Sequence, residues 1–164
     1  MEGVSFRPAV VEDVAGMAEC RMIDPSVHAA DPRMTAYFKG DHHPRLALLP
    51  RAGYVAFARG RMIGYIAGHL TKRHGCAGEV QYLFVAPAWR KRGIASALLQ
   101  LMAKWFQENA AAKVCVCVDA GSPAAMPFYR SHGASPLNPY SRHWVMWEDI
   151  GIILSPNNPP HRAS

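Results

Sequence analysis

The sequence predicts an α/β fold: a mixed, mostly antiparallel central sheet with a splayed parallel strand pair and helices on both faces. Three observations carry this. Residues 53–58 and 61–70 are two apolar runs joined by Arg59-Gly60, the pattern of an antiparallel hairpin. Residues 79–85 form an apolar strand that leads through a short basic loop into Ala95, Leu98, Leu99, Met102 and Phe106, which recur at helical spacing. Lys113-Val114-Cys115-Val116-Cys117-Val118 is a continuous apolar run, as expected of a strand covered on both faces. A helix joins it to residues 79–85, so a right-handed crossover sets the two strands parallel. They are expected to part where Pro87, which cannot donate to a ladder, ends the first.

The remaining elements follow in order. Val4-Ser5-Phe6-Arg7 alternates as a short strand, and Pro8 ends it. Residues 10–22 read as a helix with Val10, Val14, Met17, Ala18 and Met22 on one stripe. Glu12 and Asp13 in its first turn suit the positive helix end. Residues 24–50 read as irregular apart from a short helix over 33–38, and residues 71–78 as a polar connection. The central helix spans 93–109. Ser122 is placed as the cap of a further helix with Pro123 in its first position, Gly133 as its stop, and Pro127 as a distortion of its first turns. Residues 142–147 are the last strand. Residues 1–153 are read as a single domain and 154–164 as a flexible, Pro- and Asn-rich C-terminal tail.

With 164 residues, half of them hydrophobic, the chain has enough apolar material for one real core. Its net charge of +6 suits an anionic ligand. No long Lys/Arg run and no zinc-finger or RNP-like pattern is present, which counts against nucleic acid as a partner. The four cysteines, Cys20, Cys76, Cys115 and Cys117, form no C-x-x-C pair and read as buried free thiols of a reducing compartment. Cys115 and Cys117 share a strand face. The adjacent His42-His43 lacks zinc-ligand spacing, and no metal is expected. Residues 1–6 carry a charge and no long apolar run, so no signal peptide is read there. No stretch reads as a membrane span, and the cytoplasm is the expected location.

The stretch from Tyr82 to Leu99 makes an anion site. Free N–H groups of the loop and the positive end of the helix, worth about half a charge, point at one place. Arg90, Lys91 and Arg92 add full charges, and Gly93 permits close approach. Arg90-Lys91-Arg92-Gly93-Ile94-Ala95 fits the (Gln/Arg)-x-x-Gly-x-(Gly/Ala) signature. The chain thereby resembles the GNAT family, the Gcn5-related N-acetyltransferases. A second landmark is Phe128-Tyr129-Arg130-Ser131-His132-Gly133, similar to the family's Phe-Tyr-x-x-x-Gly. Many members carry an Asn seven residues before this Tyr; here that position is Ser122. Residues 54–147 fit well and the N-terminal third only loosely.

The resemblance implies acetyl transfer from acetyl-CoA to a primary amine by direct attack in a ternary complex. It places pantetheine and thioester on backbone groups of Leu83, Phe84 and Val85, with the Val85 N–H as oxyanion donor. It places the pyrophosphate on the backbone from Lys91 through Arg92, Gly93, Ile94 and Ala95 to Ser96, with charge from Arg90 and Arg92. Ser122 stands at the Asn position beside the cofactor arm. Glu79, fourteen residues before Gly93, holds the offset of the general-base Glu of histone-acetylating members. Period-two alternation puts Glu79, Gln81, Leu83 and Val85 on one face, and the competing reading of Glu79 is a solvated strand-end carboxylate. Tyr129 is the acid for the departing thiolate, weighed against a core aromatic. An acyl-cysteine route through Cys115 or Cys117 lacks a neighbouring base. The acceptor is a small-molecule or peptide amine, and Asp24, Asp31 and Asp41 are candidates to recognise its charge against a reading as solvated loop acids. A homodimer is left open. The alternatives are transfer of another acyl group and a non-catalytic acyl-CoA-binding or sensing domain.

Overall fold

The computed structural model describes residues 2–24, 32–119 and 121–156. Its strands are β1 (Val4–Pro8), β2 (Ala47–Ala58), β3 (Arg61–Thr71), β4 (Gly78–Val85), β5 (Val114–Cys117), β6 (Ser135–Pro136) and β7 (Trp144–Trp147). They form one seven-stranded sheet in the order β1-β2-β3-β4-β5-β7-β6. Every neighbouring pair is antiparallel except β4 and β5, which are parallel. Helices α1 (Val14–Met22) and α2 (Pro32–Lys39) cover one face. Helix α3 (Ile94–Glu108) covers the other, and α4 (Ala125–Ser131) follows β5. The expected fold class is therefore the observed one.

The central core lies between the sheet and α3. Ile94, Leu98, Leu99, Met102 and Phe106 of α3 pack against Ile66, Val80, Val85, Val114 and Val116. Fully burying such a side chain stabilises by roughly 1.5–3 kcal/mol, which fixes α3 across the β4–β5 crossover. Gly78 is needed there, because a Cβ at this position would lie 2.5 Å from the Phe106 ring. A smaller cluster on the opposite face joins Met17, Met34, Val55 and Tyr65.

The parallel pair is short. Its register runs from Gly78↔Val114 to Val80↔Val116 and stops, while β4 continues to Val85. The two strands thus part after Val80, earlier than the expected point at Pro87, and among the described residues one edge of 81–85 has no neighbouring strand.

Three local expectations are corrected. The helical segment over 10–22 opens as a 3-10 turn, Val11–Asp13, and its stripe is narrower than expected, because Val10 and Met22 are exposed. Asp13 instead turns back to accept from the Val10 N–H at 2.8 Å and from both Arg7 terminal nitrogens at 2.7 Å. Strand β2 begins at Ala47, well before residue 53. The register jumps from Leu48↔Leu70 to Arg51↔His69, so Leu49 and Pro50 lie outside the ladder and no proline N–H is required. Helix α4 begins at Ala125, preceded by Ala124 rather than by a Ser122 cap. Pro127 then falls within the first turn, where its missing N–H costs no helical bond, and the helix is entered through a tight turn in which the Ala125 N–H donates to the Ser122 carbonyl at 3.1 Å.

The tail expected over 154–164 lies mostly outside the described residues. Leu154 closes a 3-10 turn, Ile150–Leu154, that buries Ile150 and Ile153. Among the described residues no helix is long and apolar enough to cross a membrane.

Candidate active site

The loop after β4 is shaped by two left-handed residues. Lys91 has φ 57° and Gly93 φ 80°. The first backbone bond of α3 runs from the Ala97 N–H to the Gly93 carbonyl at 3.0 Å. The N–H groups of Ile94, Ala95 and Ser96 consequently open the helix without intrahelical partners. They face a cleft of about 600 Å³ whose walls include Leu83, Phe84, Val85, Arg90, Lys91, Gly93, Ile94, Ala95, Ser96, Ser122 and Tyr129. Most of the residues expected for the cofactor thus line one cavity.

Backbone directions along its β4 wall follow from one bond. Ala86 N–H donates to the Ile63 carbonyl at 2.8 Å, in register with Gly64↔Val85 and Tyr65↔Phe84. Antiparallel pairs alternate between bonded and non-bonded. Phe84 therefore turns its backbone groups to β3, whereas Leu83 and Val85 turn theirs to the side where β5 has departed. The expectation that Phe84 holds an arm through its backbone is corrected accordingly.

Arg90 and Arg92 are also reassigned. Arg90 Nε donates to the Val85 carbonyl at 2.8 Å, its terminal nitrogen pairs with Asp24, and its guanidinium lies over the Phe84 ring. It clamps the loop to β4 and to the end of α1. Arg92 stacks on Trp89 and is outside the cleft wall. Asp24 is buried beside Arg90 and is no solvated loop acid. Asp41 is exposed. Asp31 lies outside the described residues.

Glu79 is neither solvated nor on the face expected. The β3–β4 register jumps from Ala67↔Tyr82 to Gly68↔Val80, so Gln81 is an inserted residue. One extra residue reverses the alternation. Glu79 shares its face with His69, Tyr82 and Phe84, on the side of α1 and α2, opposite Leu83 and Val85. It is 2% exposed and does not line the cleft. His69 Nε2 lies 3.4 Å from Glu79 Oε2, and Arg73 Nη1 lies 3.6 Å from Oε1. Neither contact has hydrogen-bond alignment, and both His69 Nε2 and Glu79 Oε2 are buried without a hydrogen-bond partner among the described residues.

Tyr129 is buried in the far wall, edge-on to Phe128 and Trp147. Burial pushes its phenol above the ordinary value, so the oxygen keeps its proton. Next to it, His132 Nδ1 lies 2.8 Å from the Phe128 carbonyl, and Nε2 lies 3.0 Å from Ser96 Oγ. A carbonyl only accepts, so Nδ1 carries a proton, and the Ser96 hydroxyl, which can donate or accept, pairs with Nε2. This contact joins α4 to the first turn of α3.

Cys115 is buried and burial pushes its thiol up, while Cys20 is pushed up to about 11. Thiols held protonated are poor nucleophiles. Cys117 departs from the expected buried set: it is exposed. Sequence reasoning missed His69, Tyr37, Arg73 and His132. His69 had one usable signal, a single imidazole in the otherwise apolar run of β3; the others had none.

A strand leaving its parallel neighbour, a left-handed basic loop and a helix presenting free N–H groups into a cleft together make a site suited to an anionic group. The chain belongs to the acetyltransferase (GNAT) family, whose model matches residues 18–134. Among solved structures it resembles the PaiA N-acetyltransferase of Thermoplasma acidophilum in complex with coenzyme A, at 14% identity, TM-score 0.65, covering 89% of this chain and 98% of that one. A GNAT-family acetyltransferase of Staphylococcus aureus superimposes with TM-score 0.72 at 10% identity, covering 88% and 98%. Nourseothricin acetyltransferase gives 0.65 at 16% identity, covering 88% and 98%. No curated protein matches the chain in sequence.

Proposed function

We propose that this protein transfers an acetyl group from acetyl-CoA to a primary amine by direct attack in a ternary complex, in the cytoplasm. The observation that carries the reading is the single cleft joining the open N–H groups of α3 to the outward backbone of Leu83 and Val85 and on to Tyr129.

Each wall has a task. The N–H groups of Ile94, Ala95 and Ser96 and the positive end of α3 would hold the pyrophosphate, with Lys91 adding charge. Backbone groups of Leu83 and Val85 would bind the pantetheine arm where β5 has parted from β4, and Ser122 would flank it. The Val85 N–H would donate to the tetrahedral oxyanion. The amine would approach from the α1–α2 face, on which Glu79 lies, and its proton would pass toward that carboxylate. The thiolate would leave toward the Tyr129 hydroxyl.

The test is thiol release from acetyl-CoA by purified protein across a library of primary amines, run beside calorimetric titration with coenzyme A. Amine-dependent release with stoichiometric binding is expected. Binding without release for any amine would leave an acyl-CoA sensor instead.

A further inference from the structure

Glu79 ends a buried row of side chains. Tyr37 of α2 is 1% exposed, His69 of β3 is fully buried and Glu79 of β4 is 2% exposed. Tyr37 Oη lies 2.9 Å from His69 Nδ1, and His69 Nε2 lies 3.4 Å from Glu79 Oε2. The other oxygen of Glu79 faces Arg73. The three residues come from three elements, so only the folded sheet with α2 laid across it assembles them.

The proton positions follow from satisfaction. A buried hydroxyl must donate to something. Among the described residues the only partner of the Tyr37 hydroxyl is His69 Nδ1. Burial pushes the Tyr37 phenol up, so it remains a donor. Nδ1 therefore accepts, and in the neutral imidazole the proton sits on Nε2, a buried nitrogen that has no hydrogen-bond partner among the described residues and faces Glu79 Oε2 without alignment. At 3.4 Å this contact is longer than a formed hydrogen bond. Neither oxygen of Glu79 is locked: Oε1 faces the Arg73 charge at 3.6 Å, and Oε2 faces the His69 ring.

We propose that His69 is a positioning residue for Glu79, and that Tyr37 sets the tautomer that lets it act. The inference rests on the reading of Glu79 as the group toward which the amine proton moves. His69 orients the carboxylate and stabilises its ionised form through Nε2–H. When Glu79 takes the amine proton, the N–H electron pair stays on nitrogen for the bond to the thioester carbon. The carboxylate becomes neutral and the Nε2–H contact relaxes. The other titratable or charged groups that interact with Tyr37 or Glu79 are Tyr82 of β4, Cys115 and Cys117 of β5, Cys76 and Arg73 of the β3–β4 segment, and Arg51 of β2, whose guanidinium lies over Tyr37; Tyr65 of β3 and Arg21 of α1 lie further along the same face. Of these, Arg73 alone makes an ion pair with Glu79 among the described residues.

Two measurements on the free protein test this without an acceptor. In protein labelled with nitrogen-15 at histidine, imidazole correlation spectra taken where the ring is neutral should show His69 with a bare Nδ1 and a protonated Nε2, the signal being assigned by its loss in His69→Gln. Tyr37→Phe, which removes one oxygen, should mix the two tautomers. A proton on Nδ1 in the wild type overturns the proposal. Carbon-13 titration of the Glu79 carboxyl should give a midpoint about one pH unit higher in His69→Phe, a tenfold change in proton affinity. His69→Gln, which keeps an N–H near the Nε2 position, should restore part of it. An unmoved midpoint overturns the positioning role. If His69→Phe does not fold, the tautomer readout in Tyr37→Phe decides. Undiminished thiol release by Glu79→Gln would instead sink the role of Glu79 in proton removal while leaving both spectroscopic results intact, so the two failures are distinguishable.

Discussion

Arg90 is ion-paired with the buried carboxylate of Asp24, and the same guanidinium donates to the Val85 carbonyl. The first residue of the cofactor-loop signature is thereby spent on holding the loop to β4 and to the end of α1. Removing its charge takes one ion-pair partner away from the buried Asp24 and frees the Val85 carbonyl. The Arg90 side chain is 47% exposed, so the cost falls short of a fully buried pair. Arg90→Met is expected to lower stability by about 1–3 kcal/mol in urea unfolding, with coenzyme A affinity changed only a few-fold. Unchanged stability with a large loss of affinity would return Arg90 to the anion site.

Gly93 opens α3 with φ 80°, a conformation that costs a residue with a Cβ roughly 1–2 kcal/mol. Relaxation of that strain would turn the N–H groups of Ile94 to Ser96 away from the cleft. Gly93→Ala should weaken coenzyme A binding at least tenfold, about 1.4 kcal/mol, while circular dichroism stays native. Calorimetry showing wild-type affinity would exclude this loop as the pyrophosphate site.

Asp13 gives a pH-dependent stability. The hydrogen bond from Arg7 holds its carboxyl below the ordinary range. Its folded value is depressed, so the contribution is present above the unfolded value, about 3.9, and is lost as pH falls through the folded value. The difference in Tm between wild type and Asp13→Asn should be full near pH 6 and should close as pH drops below about 4. A difference that stays constant down to the acid limit would show that the carboxyl contributes through shape alone.

Much of this arrangement was legible because period and punctuation report local physics. The hairpin at Arg59-Gly60, the crossover from β4 to β5 and the apolar stripe of α3 each depend on neighbours in sequence. The corrections arise where one residue changes phase or where a partner is distant. Gln81 is an ordinary polar residue in a strand, and nothing local marks it as an insertion that carries Glu79 to the other face. Pro50 is an ordinary strand breaker until two residues leave the ladder together. Arg90 reads as a cofactor charge because Asp24, 66 positions away, is invisible to any window. Of the proposed site, the residues contributed by backbone were the readable part; the side chains paired across elements were not.

Tyr129 offers the sharpest test of the chemical step. The start of α4 at Ala125 places it in the second turn, so Pro127 has no bearing on its ring. The ring is held edge-on by Phe128 and Trp147, yet it also borders the cleft. Among the described residues no hydrogen bond occupies its hydroxyl. A buried phenol without a protein partner is available to a ligand atom, and burial keeps its proton in place above the ordinary value of about 10. It should therefore serve as a donor throughout a neutral assay range and contribute no limb of its own to the pH–rate profile there. Tyr129→Phe removes the hydroxyl and leaves the ring packing. With an accepted amine, and under conditions where chemistry limits turnover, kcat should fall about tenfold or more while the Kd for acetyl-CoA moves by no more than a few-fold. That split is what separates a donor felt by the departing sulfur from a packing residue, which would change stability and leave both constants together. Wild-type kcat in Tyr129→Phe would end the assignment, and the proton for the thiolate would then have to come from solvent along the cleft.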